Sequence, residues 1–515
     1  MEVFHKSLSS FKSSLYEVAR SLLRSRTRLY EKTKQLQASN NELRLKHQEL
    51  LCQIRQAQER EEQQRQLCQR YQKENRELLQ KPIRLPAELP LPNHSYGPGL
   101  IALCLNLAKQ IGFRAASSAL RIVFDHFGIE NNVPHHDSIR TWMCRVGIAE
   151  MKKSFNDEDD IIWFSDHSSQ IGAEKVLTIL GTNVKNLPPK GRALKLTDVR
   201  VLTVVPGRKW KKDDVGSVYR ETAKQNGVPR DLVCDGATEL RDPVQKLEKV
   251  GKTPNVIGDM KHRAANILEK VLGKDERFVE FQKQVGLTRN RVQQTELSHF
   301  APPPIKQKSR FMNLGPLLRW GTMVCGHLSH PNSKGRKGIT DDRMNEKLGW
   351  VGAYQKDLAS WNRCQELINL TLKFINTNGL YQGASKRLTS LLEETASNWT
   401  ERCKASDTVM KGLIEHAVQS ESCFGEGERG WGSTEVLESL YGQYKRLEGQ
   451  HSKGGFTSLL AALPALTVDW TAARVRENMT RVSVQQMKDW VKDNLGQTLA
   501  SRRMEAYREL ASGFG

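Results

Sequence analysis

The sequence predicts a multidomain protein of combined α+β and α/β class. It reads as an N-terminal coiled coil, a small helical domain, a mixed-sheet core interrupted by a mainly helical insertion, and a helical C-terminal region. Three observations predict this. Leucines recur every seven residues near the start, a proline-rich break follows them, and between 160 and 272 short apolar runs alternate with helical stretches in a defined order. At 515 residues the chain exceeds one ordinary domain.

Composition narrows the function classes. A hydrophobic fraction of 38% supports a core, while a mean hydropathy of −0.57 points to a long solvated segment. The formal net charge is +21 and the pI about 9.6. Such a surplus favours a polyanionic partner, nucleic acid first and an anionic membrane surface second. The nine cysteines include no CxxC pair, so their spacing suggests neither a disulfide framework nor a zinc site. A reducing cytosolic compartment fits them. The start, Met1 to Lys6, carries no long apolar run, so no signal peptide is expected. No stretch reaches the roughly 18 apolar residues of a membrane span.

Residues 1–80 hold Leu8, Leu15, Leu22, Leu29, Leu36, Leu43 and Leu50, each seven apart. A strict seven-residue repeat keeps one stripe facing a partner when helices supercoil left-handedly. With leucine at d, the a positions are Ala19, Arg26, Thr33, Asn40, His47 and Ile54. Asn40 at a favours a two-stranded parallel pairing, and a homodimer is expected. The alternative is a single exposed helix or an intramolecular hairpin. Residues 81–98 carry Pro82, Pro86, Pro90, Pro92 and Pro98 and read as an extended linker.

Residues 99–150 read as three helices. The last is expected over His136 to Val146, with Asp137 or Ser138 as N-cap. Its string from Val133 to Ile148 resembles the recognition half of helix-turn-helix domains. On that resemblance His135, His136, Ser138, Arg140 and Arg145 face outward toward DNA; the alternative is an ordinary three-helix packing module.

From 158 to 272 strands are expected at Ile161–Ser165, Val176–Leu180, Val199–Val205, Leu232–Cys234 and Asn255–Gly258. Helices are expected at 212–226, 237–250 and 259–272. The order is three strands, helix, strand, helix, strand, helix, which matches the RNase H-like fold. Residues 273–430 read as a helical insertion, whose Trp320, Trp350, Trp361 and Trp399 are expected in its core. Its loop at His330–Gly338 places Lys334, Arg336 and Lys337 beside glycines, suited to a phosphate contact. Residues 431–468 return to the core, and 469–515 form a basic helical end.

Three carboxylates stand where strands and a helix present them: Asp166 after Ile161–Ser165, Asp235 after Leu232–Cys234, and Glu438 in the helix from Ser433 to Lys445. Clustered carboxylates repel one another, and divalent cations remove the conflict. Two such ions can activate an oxygen nucleophile and stabilise a leaving oxygen in phosphodiester chemistry. Asp259 competes as a ligand, or serves as a helix N-cap. His167, His262 and Glu435 are candidates to support the site. Arg208, Lys209, Lys211 and Lys212, after the third strand, form a basic loop suited to DNA.

From about 100 to 450 the chain resembles the DDE-type transposases of bacterial insertion sequences, in the RNase H-like and retroviral-integrase superfamily. In that family the first Asp lies on the first strand, the second just after the fourth, and the Glu on a late helix behind an insertion. Many members carry Lys seven positions after the Glu. Glu438 has Lys445 at that spacing, whereas Glu435 has Gly442. Lys445 is therefore expected to reach a DNA phosphate. The family's Tyr and Arg before the Glu are replaced by Trp431 and Thr434.

The resemblance implies metal-dependent cleavage at element ends and transfer of the freed 3′-OH into target DNA. Asp166, Asp235 and Glu438 would hold Mg²⁺ or Mn²⁺, two ions in all. It further implies double-stranded DNA partners, namely terminal inverted repeats and target, and a cytoplasmic, nucleoid-associated bacterial setting. Two other readings stand beside it: a non-enzymatic, domesticated DNA-binding regulator, and an RNase H-like nuclease without strand transfer.

Overall fold

A computed structural model of the chain describes residues 15–80, 90–129, 131–156, 160–171, 174–207, 209–248, 251–304, 311, 314–330, 338–449, 458–495 and 499–512. Leu8, most of the proline-rich stretch, Arg208, the 331–337 loop and residues 452–456 lie outside the described residues. The chain divides into two compact units: Met1–Pro86 with Val123–Asn131, and Ala87–Ile122 with Asn132–Gly515.

In the first unit, helix α1 runs unbroken over Leu15–Gln80. No Gly or Pro interrupts those 66 residues, which give a rod of about 100 Å. Leu22, Leu29, Leu36, Leu43 and Leu50 are each more than half exposed on this single chain.

The second unit begins with α2 (Pro98–Ile111), opened by Pro98 in its first turn and closed by Gly112 at φ +85°. Helices α3 (Phe113–Phe127), whose residues from Val123 on are counted with the first unit, and α4 (His136–Met151) follow. The core is a five-stranded mixed sheet. Its strands are β1 (Ile161–Ile171), β2 (Glu174–Asn183), β3 (Arg200–Gly207), β4 (Asp231–Cys234) and β5 (Asn255–Gly258), in the order β3-β2-β1-β4-β5. β1 pairs antiparallel with β2, and β2 with β3; β4 pairs parallel with both β1 and β5. The parallel joints are bridged by α5 (Lys212–Asn226) and α6 (Thr238–Val244), as parallel strands require a crossover. α6 is shorter than the 237–250 helix expected; Pro243 sits inside it and turns follow.

One sheet face packs Ile161, Trp163, Leu177, Ile179, Leu202, Leu232 and Cys234 against Val215, Tyr219 and Leu240 of α5 and α6. The opposite face carries the alternate residues Ile162, Phe164, Asp166, Val233 and Asp235. After β5 come α7 (Met260–Leu272), α8 (Glu276–Val292), α9 (Gly315–Ser329), α10 (Asp341–Leu348), α11 (Gln355–Asn378), α12 (Ala384–Ser397) and α13 (Lys404–Glu421). Trp320, Trp350 and Trp361 join Phe278, Phe281 and Tyr354 in one ring cluster, the expected core of this segment. Trp399 is half-buried and bonds Glu366 instead. A two-stranded ribbon, β6 (Leu380–Tyr381) with β7 (Arg429–Gly430), leads the chain back to α14 (Glu435–Gly449), which packs on β1. A buried 3-10 segment (Ser458–Thr467) then fills the space beside α4 and β3. Helices α15 (Ala472–Arg481), α16 (Val484–Leu495) and α17 (Leu499–Ser512) complete the chain.

The α4 expectations are corrected. The helix starts at His136 and is capped by His135, whose Nδ1 accepts the Asp137 N–H at 3.4 Å; neither Asp137 nor Ser138 caps it. Every residue from Trp142 to Glu150 is buried. The second half of α4 is therefore enclosed on every side, while His135 is exposed and His136 and Ser138 are partly exposed at its start. Arg145 is 6% exposed and donates to the carbonyls of Met479 and Val482, so it closes the end of α15 and does not face DNA. Arg140 is half-buried and donates to Ser458 Oγ at 2.7 Å.

Candidate active site

Asp166 and Asp235 are brought together by strand register. Phe164 on β1 lies opposite Val233 on β4 in a parallel pair. Two residues further along each strand, Asp166 and Asp235 therefore emerge level, on the same face, at the carboxyl end of β4. Adjacent strands lie about 4.8 Å apart. Asp166 is within β1, not at its end, because β1 continues to Ile171 beside β2. Burial first, and the charge of Asp235 second, push its carboxyl up to about 6; His262 opposes them. Asp235 Oδ1 accepts the Ala237 N–H at 2.8 Å, and Gly236 at φ +86° lets the chain turn there.

Asp259 is the hinge of the site. It ends β5, caps α7, and is 1% exposed. Its Oδ1 accepts the N–H groups of Lys261 at 3.2 Å and Thr434 at 3.3 Å. Its Oδ2 accepts the Thr434 hydroxyl at 2.9 Å and lies 2.5 Å from His262 Nδ1. Burial opposes its charge, but His262 and Thr434 hold the carboxyl below its ordinary range. One side chain thus ties the start of α14 to the sheet. In return, although burial lowers it, His262 is raised to about 9 by Asp259 and then by Asp166 and Asp235. An imidazolium held by one aspartate faces the other two.

α14 presents Glu435 and Glu438 from its first turn. Lys261 Nζ is 2.5 Å from Glu438 Oε2 and 4.0 Å from Glu435 Oε1. Asn376 donates to Glu435 Oε2 at 2.5 Å. Burial raises the Glu435 carboxyl, Lys261 lowers it, and Glu438 and Asp259 raise it again. The structure therefore groups Asp166, Asp235, Asp259 and His262 at the strand ends and both glutamates on Lys261. Among the described residues, Asp166, Asp235 and Glu438 do not form a set with ligand atoms within 4.8 Å of one another; the group that does is His135, His136 and Asp137. Those three are consecutive at the first turn of α4, where the helix dipole disfavours a cation.

His167 stacks on Trp210 at 5.5 Å, its Nε2 buried with no hydrogen-bond partner among the described residues. Burial and Lys175 lower its pKa, while Asp235 and Glu239 oppose them. Lys209 and Lys211 are exposed, and Lys212 is paired with Asp242 at 2.5 Å. Lys445 is exposed two turns along α14 from Glu438. Sequence reasoning passed over Lys261 and Asn376. Lys261 stands beside Asp259, a usable signal; Asn376 lies 59 residues from Glu435 and offers none.

No protein-family model matches the chain, and no curated relative matches it.

Proposed function

We propose that the chain is a DNA transposase of the DDE type on an RNase H-like core, cutting at element ends and joining the freed 3′-OH to target DNA. The observation that carries the reading is the juxtaposition of Asp166 on β1 with Asp235 just past the end of β4, each two residues beyond the paired Phe164 and Val233 of the parallel joint in a β3-β2-β1-β4-β5 sheet. The α14 helix with its two glutamates packs on that same strand. Two level carboxylates, one pushed up by burial and then by the other's charge, are the donor set a hard divalent cation fits. Asp166 and Asp235 would hold Mg²⁺ or Mn²⁺, with Glu438 joining once released from Lys261. Bound ions would supply charge for the attacking and leaving oxygens. Asp259 keeps the α14 end against the sheet. His262, cationic and partly exposed, offers an N–H to a phosphate oxygen arriving at the strand ends. The leucine stripe of α1 would pair two copies, so that two element ends are handled together.

Asp166→Asn is expected to keep DNA binding and lose Mg²⁺-dependent cleavage of a duplex carrying an element end, by at least about a hundredfold. Cleavage at the unsubstituted rate in that variant would remove Asp166 from the site. An assay joining a 3′-OH end to plasmid DNA separates transposition from simple nuclease action.

A further inference from the structure

α7 starts at the carboxylate cluster and carries an exposed face the cluster does not use. Arg263, Asn266 and Lys270 follow one another at helical spacing and Lys274 sits in the turn after the helix, all four exposed. With Glu269 and Gly273 they line an open groove of about 410 Å³. The side chains of Arg263, Lys270 and Lys274 make no hydrogen bond or ion pair among the described residues. Other cations around the core are engaged: Lys261 by Glu438, and Lys212 and Arg241 by Asp242. Among the described residues Glu269 is the one acid lining the groove. Arg263 sits in the first turn of α7, where the helix dipole disfavours a cation, so local helix stability does not account for it.

We infer that this face of α7 is a docking track for the phosphate backbone of duplex DNA, leading away from the Asp166–Asp235 pair; this rests on the DNA reading above. From Arg263 to Lys270 the rise along α7 is about 10 Å, which matches about three phosphate spacings of one strand at about 3.4 Å each along the duplex axis, and Lys274 lies in the turn just past the helix. Arg263 follows His262 in the first turn of α7, so the track begins in the same helix turn that carries His262. Asn266 adds a neutral donor between the cations. The contact is to backbone and carries no base preference.

The test uses the full chain and a fluorescent duplex of arbitrary sequence, with affinity measured by anisotropy across a salt series in Ca²⁺ or chelator to prevent cutting. The variant is Arg263→Gln with Lys270→Gln and Lys274→Gln. The control, Lys252→Gln with Lys356→Gln and Lys386→Gln, removes the same charge from exposed positions elsewhere. The track variant should bind about tenfold or more weakly near 0.1 M salt, and the slope of log affinity against log salt should fall by about 2–3. The control should keep its slope within about one. Unchanged binding in the track variant, with circular dichroism matching the unsubstituted chain, would overturn the track. So would an equal loss in the control, which would make the effect one of net charge. If the unsubstituted chain shows no salt-dependent DNA binding, the DNA reading itself fails and the track fails with it.

Discussion

Asp166 shows how a residue's place changes its chemistry. On the surface its carboxyl would titrate near its ordinary 3.8; on β1, half-buried and level with Asp235, it is pushed up to about 6 by desolvation and then by that neighbour's charge. The folded chain therefore holds this proton more tightly than the unfolded chain does, and stability falls as pH rises from about 4 through about 6. Asp166→Asn removes the penalty. In chelator above pH 7 the variant should be more stable than the unsubstituted chain by about 1–3 kcal/mol, and below pH 4 the two should coincide. Urea denaturation at both pH values checks this; a variant less stable at pH 7.5 would mean that Asp166 is already neutralised in the fold. Arg145 makes the converse point. In sequence it is one more cation of a basic chain, but in the fold its guanidinium closes the carbonyl end of α15. No local pattern near Arg145 announces Met479 and Val482, which are over 330 residues away.

At the scale of elements, the strands and helices around the sheet were legible because their periodicity is local. β5 occupies Asn255–Gly258 and α5 Lys212–Asn226, the spans read from the pattern. The burial of Arg145 on α4 has a physical reason that its local pattern does not carry. The helix's partner is the Ser458–Thr467 segment, more than 300 residues later, and only their contact shows that its outward-seeming side is covered. Gly147 is the close-approach point: a Cβ there would meet the Ala461 carbonyl oxygen at 2.1 Å. Gly147→Ala must push two buried backbones apart. It should lower stability by about 1–3 kcal/mol, read as a reduced urea midpoint with an unchanged slope. A midpoint equal to that of the unsubstituted chain would mean the segment yields freely.

At the scale of the whole molecule, the leucine stripe of α1 concerns assembly. Five of its leucines are more than half exposed on the single chain, and a partner helix is the simplest cover. Leu29→Glu with Leu36→Glu should convert a sedimenting dimer to monomer. Register has its own probe. Cys68 lies 28 residues, four heptads, after Asn40 and so shares its a position, whereas Cys52 lies two residues past Leu50 on the outer side. In a parallel, in-register pair, copper phenanthroline should oxidise the two Cys68 thiols to an interchain disulfide; Cys68→Ser should abolish it and Cys52→Ser should not. A monomeric unsubstituted chain would end the pairing idea, and crosslinking through Cys52 alone would rule out that register.

What the sequence by itself determined is what short range can encode: the seven-residue stripe, the order of strands and helices, and the two aspartates that follow apolar runs. The sheet face on which the two aspartates stand was readable because a strand places a side chain by parity, and parity is local. Only the tertiary structure decided what converges. It set Asp166 level with Asp235 through the β1–β4 register, made Asp259 the clasp between Thr434 and His262, and gave both glutamates to Lys261. These partners are separated by up to 177 residues. Pairing at that distance is chosen by which surfaces can be buried together, and the chain settles that only when it folds.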